Sequence, residues 1–203
     1  SPTVWAWRSG RVKGIAKSTD RVMCLFPFEP AFYAQHDVPA TYTGHPLADQ
    51  IPPGVEKSPA RTELGISDMA QCVALLPGSR LSEVGKLTTP MLEAAIILAQ
   101  RYPDIRFLVP AASELIREYL ETQLQQYASL DCRVFTSKAR QVVAASDLVV
   151  CASGTATLEV MLINRPMVVC YRLAGMTYTL AKWLKLVKSR FFARPNILAG
   201  EQL

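Results

Sequence analysis

Short apolar runs recur along this chain at residues 22–26, 72–76, 105–109, 132–135, 148–151 and 167–171, separated by segments of helix length. Runs of four or five such residues predict strands, and strands that alternate with helices predict an α/β fold. The helix signals are local. Ser58 followed by Pro59 predicts an N-cap with proline at the first helical position, and Thr89 before Pro90 predicts the same start for a helix over 91–99. Ser113 opens a third helix, in which Leu115, Tyr119, Leu120, Leu124 and Tyr127 keep an approximate helical spacing, and Ser137 opens a fourth that ends near Asp147. From Cys72 onward the alternation predicts a parallel sheet with right-handed crossovers, whose ligands bind beyond the carboxyl ends of the strands. Residues 1–7, alternating Val4 with Trp5 and Trp7, read as a further strand, so the chain is expected to begin inside a domain. The Pro- and Gly-rich stretch 44–56 reads as a linker between residues 1–43 and a second domain over 57–203.

Composition narrows the chemistry. Half of the 203 residues are hydrophobic, enough for a real core, and the net charge of +5 suits phosphate-bearing partners or anionic lipid as well as it suits plain solubility. Cys24, Cys72, Cys132, Cys151 and Cys170 stand singly beside apolar runs, which reads as buried reduced thiols and a cytoplasmic setting. With only His36 and His45 available, a zinc site or a histidine-based triad has little to build on, so no metal and no cofactor are expected. No apolar run approaches the ~20 residues that span a bilayer, and any membrane contact is expected to be peripheral.

Residues 147–159 carry the most informative pattern: an apolar strand, the turn Ser153-Gly154-Thr155, then a helix with Glu159 in its first turn. A helix start offers unpaired N–H groups to an anion, and small residues let it approach. A phosphate cradle and a plain strand-helix connection fit the pattern equally well. Residues 74–80 repeat the logic, ending Pro77-Gly78-Ser79-Arg80, where a guanidinium can hold a diphosphate or lie solvated on a surface turn. Glu159 suits the helix dipole and, beside a phosphate turn, can also accept from ribose hydroxyls. A single glycine in the turn departs from the dinucleotide fingerprint and argues against a nicotinamide cofactor. His45, between Gly44 and Pro46, is expected to bond backbone rather than to catalyse.

Two basic groups remain. Residues 173–192 mix Leu180, Trp183, Leu184 and Phe191 with Lys182, Lys185, Lys188 and Arg190, which suits either a helix lying on anionic membrane or one packed on the sheet or on a second subunit. Arg8, Arg11, Lys13, Lys17 and Arg21 beside Trp5 and Trp7 suit solvated surface, a lipid headgroup or the phosphate of an acceptor. Neither group has the aromatic-interleaved platform or recognition-helix pattern of a nucleic-acid binder, so no nucleic acid is expected.

Five segments taken together, residues 1–8, 44–49, 76–84 with Pro77-Gly78-Ser79-Arg80 and Glu83, 152–159, and 195–200 with Asn196, resemble the lipid-A-disaccharide synthase family in order and spacing over essentially the whole chain. The resemblance implies a GT-B glycosyltransferase: a Rossmann-like parallel sheet flanked by helices, with a partial second Rossmann-like domain, inverting and metal-independent. It implies transfer of a diacylglucosamine unit from UDP-2,3-diacylglucosamine to 2,3-diacylglucosamine 1-phosphate in lipid A and lipopolysaccharide synthesis, on the cytoplasmic face of the inner membrane, with a homodimer possible. By the same resemblance Ser153, Gly154 and Thr155 bind diphosphate, Arg80 neutralises it, Glu159 holds ribose, Asn196 borders the nucleotide and Glu83 joins the pocket. The family's general base, in a Gly-x-Asp-x-Pro segment, is absent from these residues, so no catalytic residue is expected in this chain and no turnover by it alone. Another UDP-sugar enzyme such as a UDP-N-acetylglucosamine 2-epimerase or the muramyl glycosyltransferase, or a non-catalytic nucleotide-binding or peripheral membrane module, are the alternatives.

Overall fold

Cys72–Leu76 is buried at all five positions, which an isolated strand cannot be unless both faces and both edges are covered. In the computed structural model, which describes residues 4–5 and 9–171, this segment is the central strand of a five-stranded sheet. The chain divides into two compact units, and the boundary falls between Gln50 and Ile51.

The first unit contains α1 (Val12–Ser18), β1 (Val22–Cys24), α2 (Glu29–Ala34), β2 (Ala40–Tyr42) and α3 (Pro46–Gln50). β1 and β2 pair in parallel, Val22 opposite Ala40, over a small core of Val4, Val12, Cys24, Tyr33 and Val38. The predicted strand over residues 1–7 is corrected where it is described: Val4 and Trp5 lie in a turn. Their alternation comes from packing. Val4 is buried in the core, and the Trp5 indole N–H donates to Glu29 Oε1 at 2.9 Å while its ring meets Phe28 edge-on.

The second unit runs α4 (Lys57–Leu64), β3 (Cys72–Leu76), α5 (Leu81–Arg101), β4 (Arg106–Ala111), α6 (Glu114–Leu124), β5 (Cys132–Thr136), α7 (Ala139–Ala145), β6 (Leu148–Ala152), α8 (Ala156–Leu162) and β7 (Met167–Cys170). All pairings are parallel and the strand order is β5-β4-β3-β6-β7. The two-residue period of β3 sorts its side chains. Val73 and Leu75 join the core with Phe107, Val109 and the helices α5 and α6, while Cys72, Ala74 and Leu76 join the opposite core with Leu108, Val149 and residues of α4, α7 and α8. Helices therefore cover both faces, and the path turns back across the sheet between β5 and β6.

Three helix starts differ from the sequence expectation. α5 begins at Leu81, not at Pro90, which lies inside it. Val84, Leu87, Thr88, Met91, Leu92 and Ala95 are buried at helical spacing on both sides of the proline, and that continuous apolar face offsets a penalty of about 3 kcal/mol for proline in a helix interior. The Thr88 hydroxyl donates to the Val84 carbonyl at 2.7 Å in the turn before it. α4 begins one residue before Ser58, whose hydroxyl bonds Asp68 Oδ2 at 2.9 Å instead of capping. Ser137 has φ +57° and donates its N–H to the Ala111 carbonyl, so α7 starts two residues later. Ser113 does cap α6, accepting from the Ile116 N–H.

Candidate functional site

In a sheet of this order the chain leaves the central strand in one direction and later returns to its other side, which opens a crevice beyond the carboxyl ends of the two strands flanking the switch. Here those strands are β3 and β6, paired through Leu76 opposite Cys151. The two turns singled out from the sequence, Pro77 to Arg80 and Ser153 to Thr155, are the next residues of these neighbouring strands, and parallel neighbours run about 4.8 Å apart. Residues 75 positions apart in the chain thus meet at one edge of the sheet.

The first turn is shaped by Gly78 and Glu83. Gly78 has φ +134°, and a Cβ there would stand 2.7 Å from Glu83 Cβ and 2.8 Å from Glu83 Oε2. Glu83 folds back from the first turn of α5 over this glycine. Its Oε2 accepts from the Ser79 N–H at 3.3 Å and its Oε1 from Arg80 Nη1 at 2.8 Å. Glu83 therefore holds the turn and steers Arg80, whose side chain is 78% exposed and able to meet an incoming anion.

The second turn is braced at both ends. The Ser153 N–H donates to the Cys170 carbonyl at 2.9 Å, continuing the β6–β7 ladder, so it is not offered to a ligand. The fully buried Thr157 donates its hydroxyl to the Gly154 carbonyl at 2.7 Å, a brace that the sequence reading missed although a Thr three residues into a turn is a common local cap. Glu159 sits in the first turn of α8 and its Oε1 accepts from Arg140 Nε at 3.3 Å. Arg140 was also missed, because a partner on another helix leaves no local spacing signal.

The remaining predicted positions belong to the first unit or fall outside the described residues. Trp7, Arg8, Lys182, Trp183, Lys185 and Asn196 are outside the described residues. Trp5 is tied to Glu29 as above, and Arg11, Lys13, Lys17 and Arg21 are exposed. His45 Nδ1 accepts from the Leu47 N–H at 3.2 Å, the backbone role expected of it. Among the described residues no group of three or more His, Cys, Asp or Glu is placed to hold a metal ion, and no helix is long and apolar enough to cross a membrane.

A cavity of about 750 Å³ opens at the other, amino edge of the sheet, lined among others by Lys57, Arg61, Asp68, Tyr102 and Asp147. Its charged groups are engaged with one another and with the backbone. Asp147 accepts from the Cys72 N–H at 2.9 Å and from Arg61 Nη2 at 3.0 Å, and pairs with Lys57; Arg61, buried, also donates to the Ala145 carbonyl at 2.9 Å and to that of Asp68. Burial pushes the Asp147 carboxyl up, but the Lys57 and Cys72 hydrogen bonds and the charges of Lys57 and Arg61 outweigh it and hold the group below the usual carboxylate range. This edge reads as a clamp between α4 and the starts of β3 and β6.

A family model described as lipid-A-disaccharide synthetase matches residues 1–203. Curated relatives named lipid-A-disaccharide synthase are 45% identical in Alcanivorax borkumensis, over all of this chain and 52% of that protein, and 47% identical in both Acinetobacter baylyi and Pseudomonas aeruginosa, over all of this chain and 53% of those proteins. The chain spans about half the length of the curated relatives it matches. A solved Staphylococcus aureus TarM variant, in complex with Fondaparinux, alpha-GlcNAc-glycerol and UDP, is 13% identical with a TM-score of 0.43 over 96% of this chain and 41% of that one. On the full-length family match and the identity of these relatives, the chain belongs to the lipid-A-disaccharide synthase family.

Proposed function

We propose that the second unit is the nucleotide-binding half of an inverting, metal-independent GT-B glycosyltransferase. The reaction is transfer of the 2,3-diacylglucosamine unit of UDP-2,3-diacylglucosamine to the 6-hydroxyl of 2,3-diacylglucosamine 1-phosphate, giving lipid A disaccharide 1-phosphate and UDP. The observation that carries this reading is the meeting of the Arg80 and Ser153-Gly154-Thr155 turns at the switch between β3 and β6, in a chain of this family. As the glycosidic bond breaks, negative charge grows on the departing diphosphate. Arg80 answers it with charge-assisted hydrogen bonds, and the N–H groups of Gly154 and Thr155 supply the neutral donors, since that of Ser153 is engaged. Glu159 takes the ribose hydroxyls, Asn196 borders the nucleotide, and Glu83 acts through Arg80. The base that activates the acceptor hydroxyl is not assigned to a residue of this chain.

The acylated substrates and the exposed basic groups of the first unit support peripheral attachment to the anionic cytoplasmic face of the inner membrane. Calorimetric titration of the chain with UDP tests the nucleotide reading. Binding that weakens at least about tenfold in Arg80→Ala, the size of one charged hydrogen bond, is expected. No heat with the unsubstituted chain overturns it.

A further inference from the structure

We propose that Arg140 is a positioning residue that holds the Glu159 carboxylate in the orientation from which it takes the hydroxyls of a nucleotide's ribose. The inference rests on the nucleotide reading above and adds a residue to it. Arg140 is the second residue of α7 and Glu159 the fourth of α8. Both helices begin at the carboxyl edge of the sheet, on either side of β6, and the Arg140 Nε–Glu159 Oε1 bond of 3.3 Å joins them there. Only Oε1 is used; among the described residues Oε2 has no partner.

The stability of the fold does not account for the Arg140–Glu159 pair. A cation in the first turn of a helix faces the positive end of the dipole, and α7 has no acidic residue in that turn to compensate. The pair is also partly exposed, 43% at Arg140 and 25% at Glu159, a setting in which an ion pair adds little to folding. The needs of a ribose site do account for it. Glu159 lies one turn beyond Thr155, where a carboxylate of fixed orientation suits the sugar of a nucleotide rather than its phosphates. A guanidinium on one oxygen fixes the rotamer and leaves the other oxygen as an acceptor. Arg suits the task better than Lys because its planar fork fixes direction as well as charge.

The test is calorimetric titration of the chain, Arg140→Ala and Arg140→Lys with three probes: UDP, its 2′,3′-dideoxy analogue and inorganic pyrophosphate. Arg140→Ala is expected to weaken UDP about fivefold, as for one misplaced hydrogen-bond acceptor, while the other two probes stay within about twofold and the melting temperature barely moves. Arg140→Lys is expected to recover part of the UDP affinity. An equal loss on all three probes would make Arg140 a phosphate contact, and an unchanged UDP affinity would leave it no role; either overturns the proposal while the nucleotide reading stands. An unsubstituted chain that binds none of the probes defeats the nucleotide reading, and the role of Arg140 with it.

Discussion

Gly78→Ala is expected to damage the fold and the candidate site together, and the geometry sets the size of the effect. At φ +134° an L side chain is strained, which costs about 1–3 kcal/mol. The new methyl would also stand 2.7 Å from Glu83 Cβ, an atom fixed by α5, so no change of rotamer relieves the collision. The turn has to move off the helix, and the bonds of Glu83 to the Ser79 N–H and to Arg80 go with it, about 1 kcal/mol more because both groups can turn to water. The sum is about 3 kcal/mol, a fall in melting temperature of roughly 6–12 °C for a chain of this size. Gly65→Ala is the comparator. Gly65 caps α4 at φ +63° with nothing within 4 Å of a Cβ, so it bears the left-handed cost alone, about 1 kcal/mol and roughly 2–4 °C. Thermal melting followed by far-UV circular dichroism reads both. Gly78→Ala melting within about 2 °C of Gly65→Ala would refute the collision argument. UDP titration of the same variant should show the loss expected of an Arg80 no longer held by Glu83.

Asp147→Ala strips the acceptor from buried Arg61 and from the Cys72 N–H and should cost about 2 kcal/mol in urea unfolding, with UDP affinity unchanged because the clamp lies at the opposite edge of the sheet. The Asp147 carboxyl is held below its unfolded value of about 4, so its stabilisation is complete above that pH and is lost as pH falls through the folded value; Asp147→Asn should flatten the acid limb of the stability curve below about pH 4, and an unchanged limb would remove Asp147 as its source. Burial pushes Cys132 and Cys151 up to about 12, with Asp131 adding to the first and Cys170 to the second. At pH 8 the thiolate fraction is then on the order of one in ten thousand, so iodoacetamide should modify these two cysteines only after urea is added, as read by mass spectrometry.

β3 and β4 were legible because they are buried on both faces and so appear as apolar runs, while β5, β6 and β7, partly exposed, still carry enough apolar residues to be read. β2 was not, since Ala40–Tyr42 is three residues long, largely exposed and, among the described residues, pairs only with β1. Thr89-Pro90 misled for a physical reason: the local signal of a helix start was outweighed by an apolar face that continues through the proline. At the site, both turns could be read from small residues after a strand, yet their meeting across β3 and β6 depends on strand order, which no local pattern carries. The partners of the two carboxylates divide in the same way. Glu83 with Arg80 is an i,i+3 pair on one helix start, whereas Glu159 with Arg140 spans two helices and is visible only in three dimensions.

Because β3 is central, the two halves of its sheet cannot form at the same time as the chain is made. β4 and β5 follow it directly, and with α5 and α6 they can close the face of Val73, Leu75 and Phe107 once residue 136 has been synthesised. The opposite face of Ala74, Leu76 and Leu108 has only α4 over it until α7, β6 and α8 arrive. During that interval the nascent protein exposes apolar surface and a bare strand edge, the condition in which chains aggregate or recruit chaperones. The turn at Ser153 follows β6, so it is laid down only as this exposure ends. A ligand for that turn would then favour only chains whose sheet is complete.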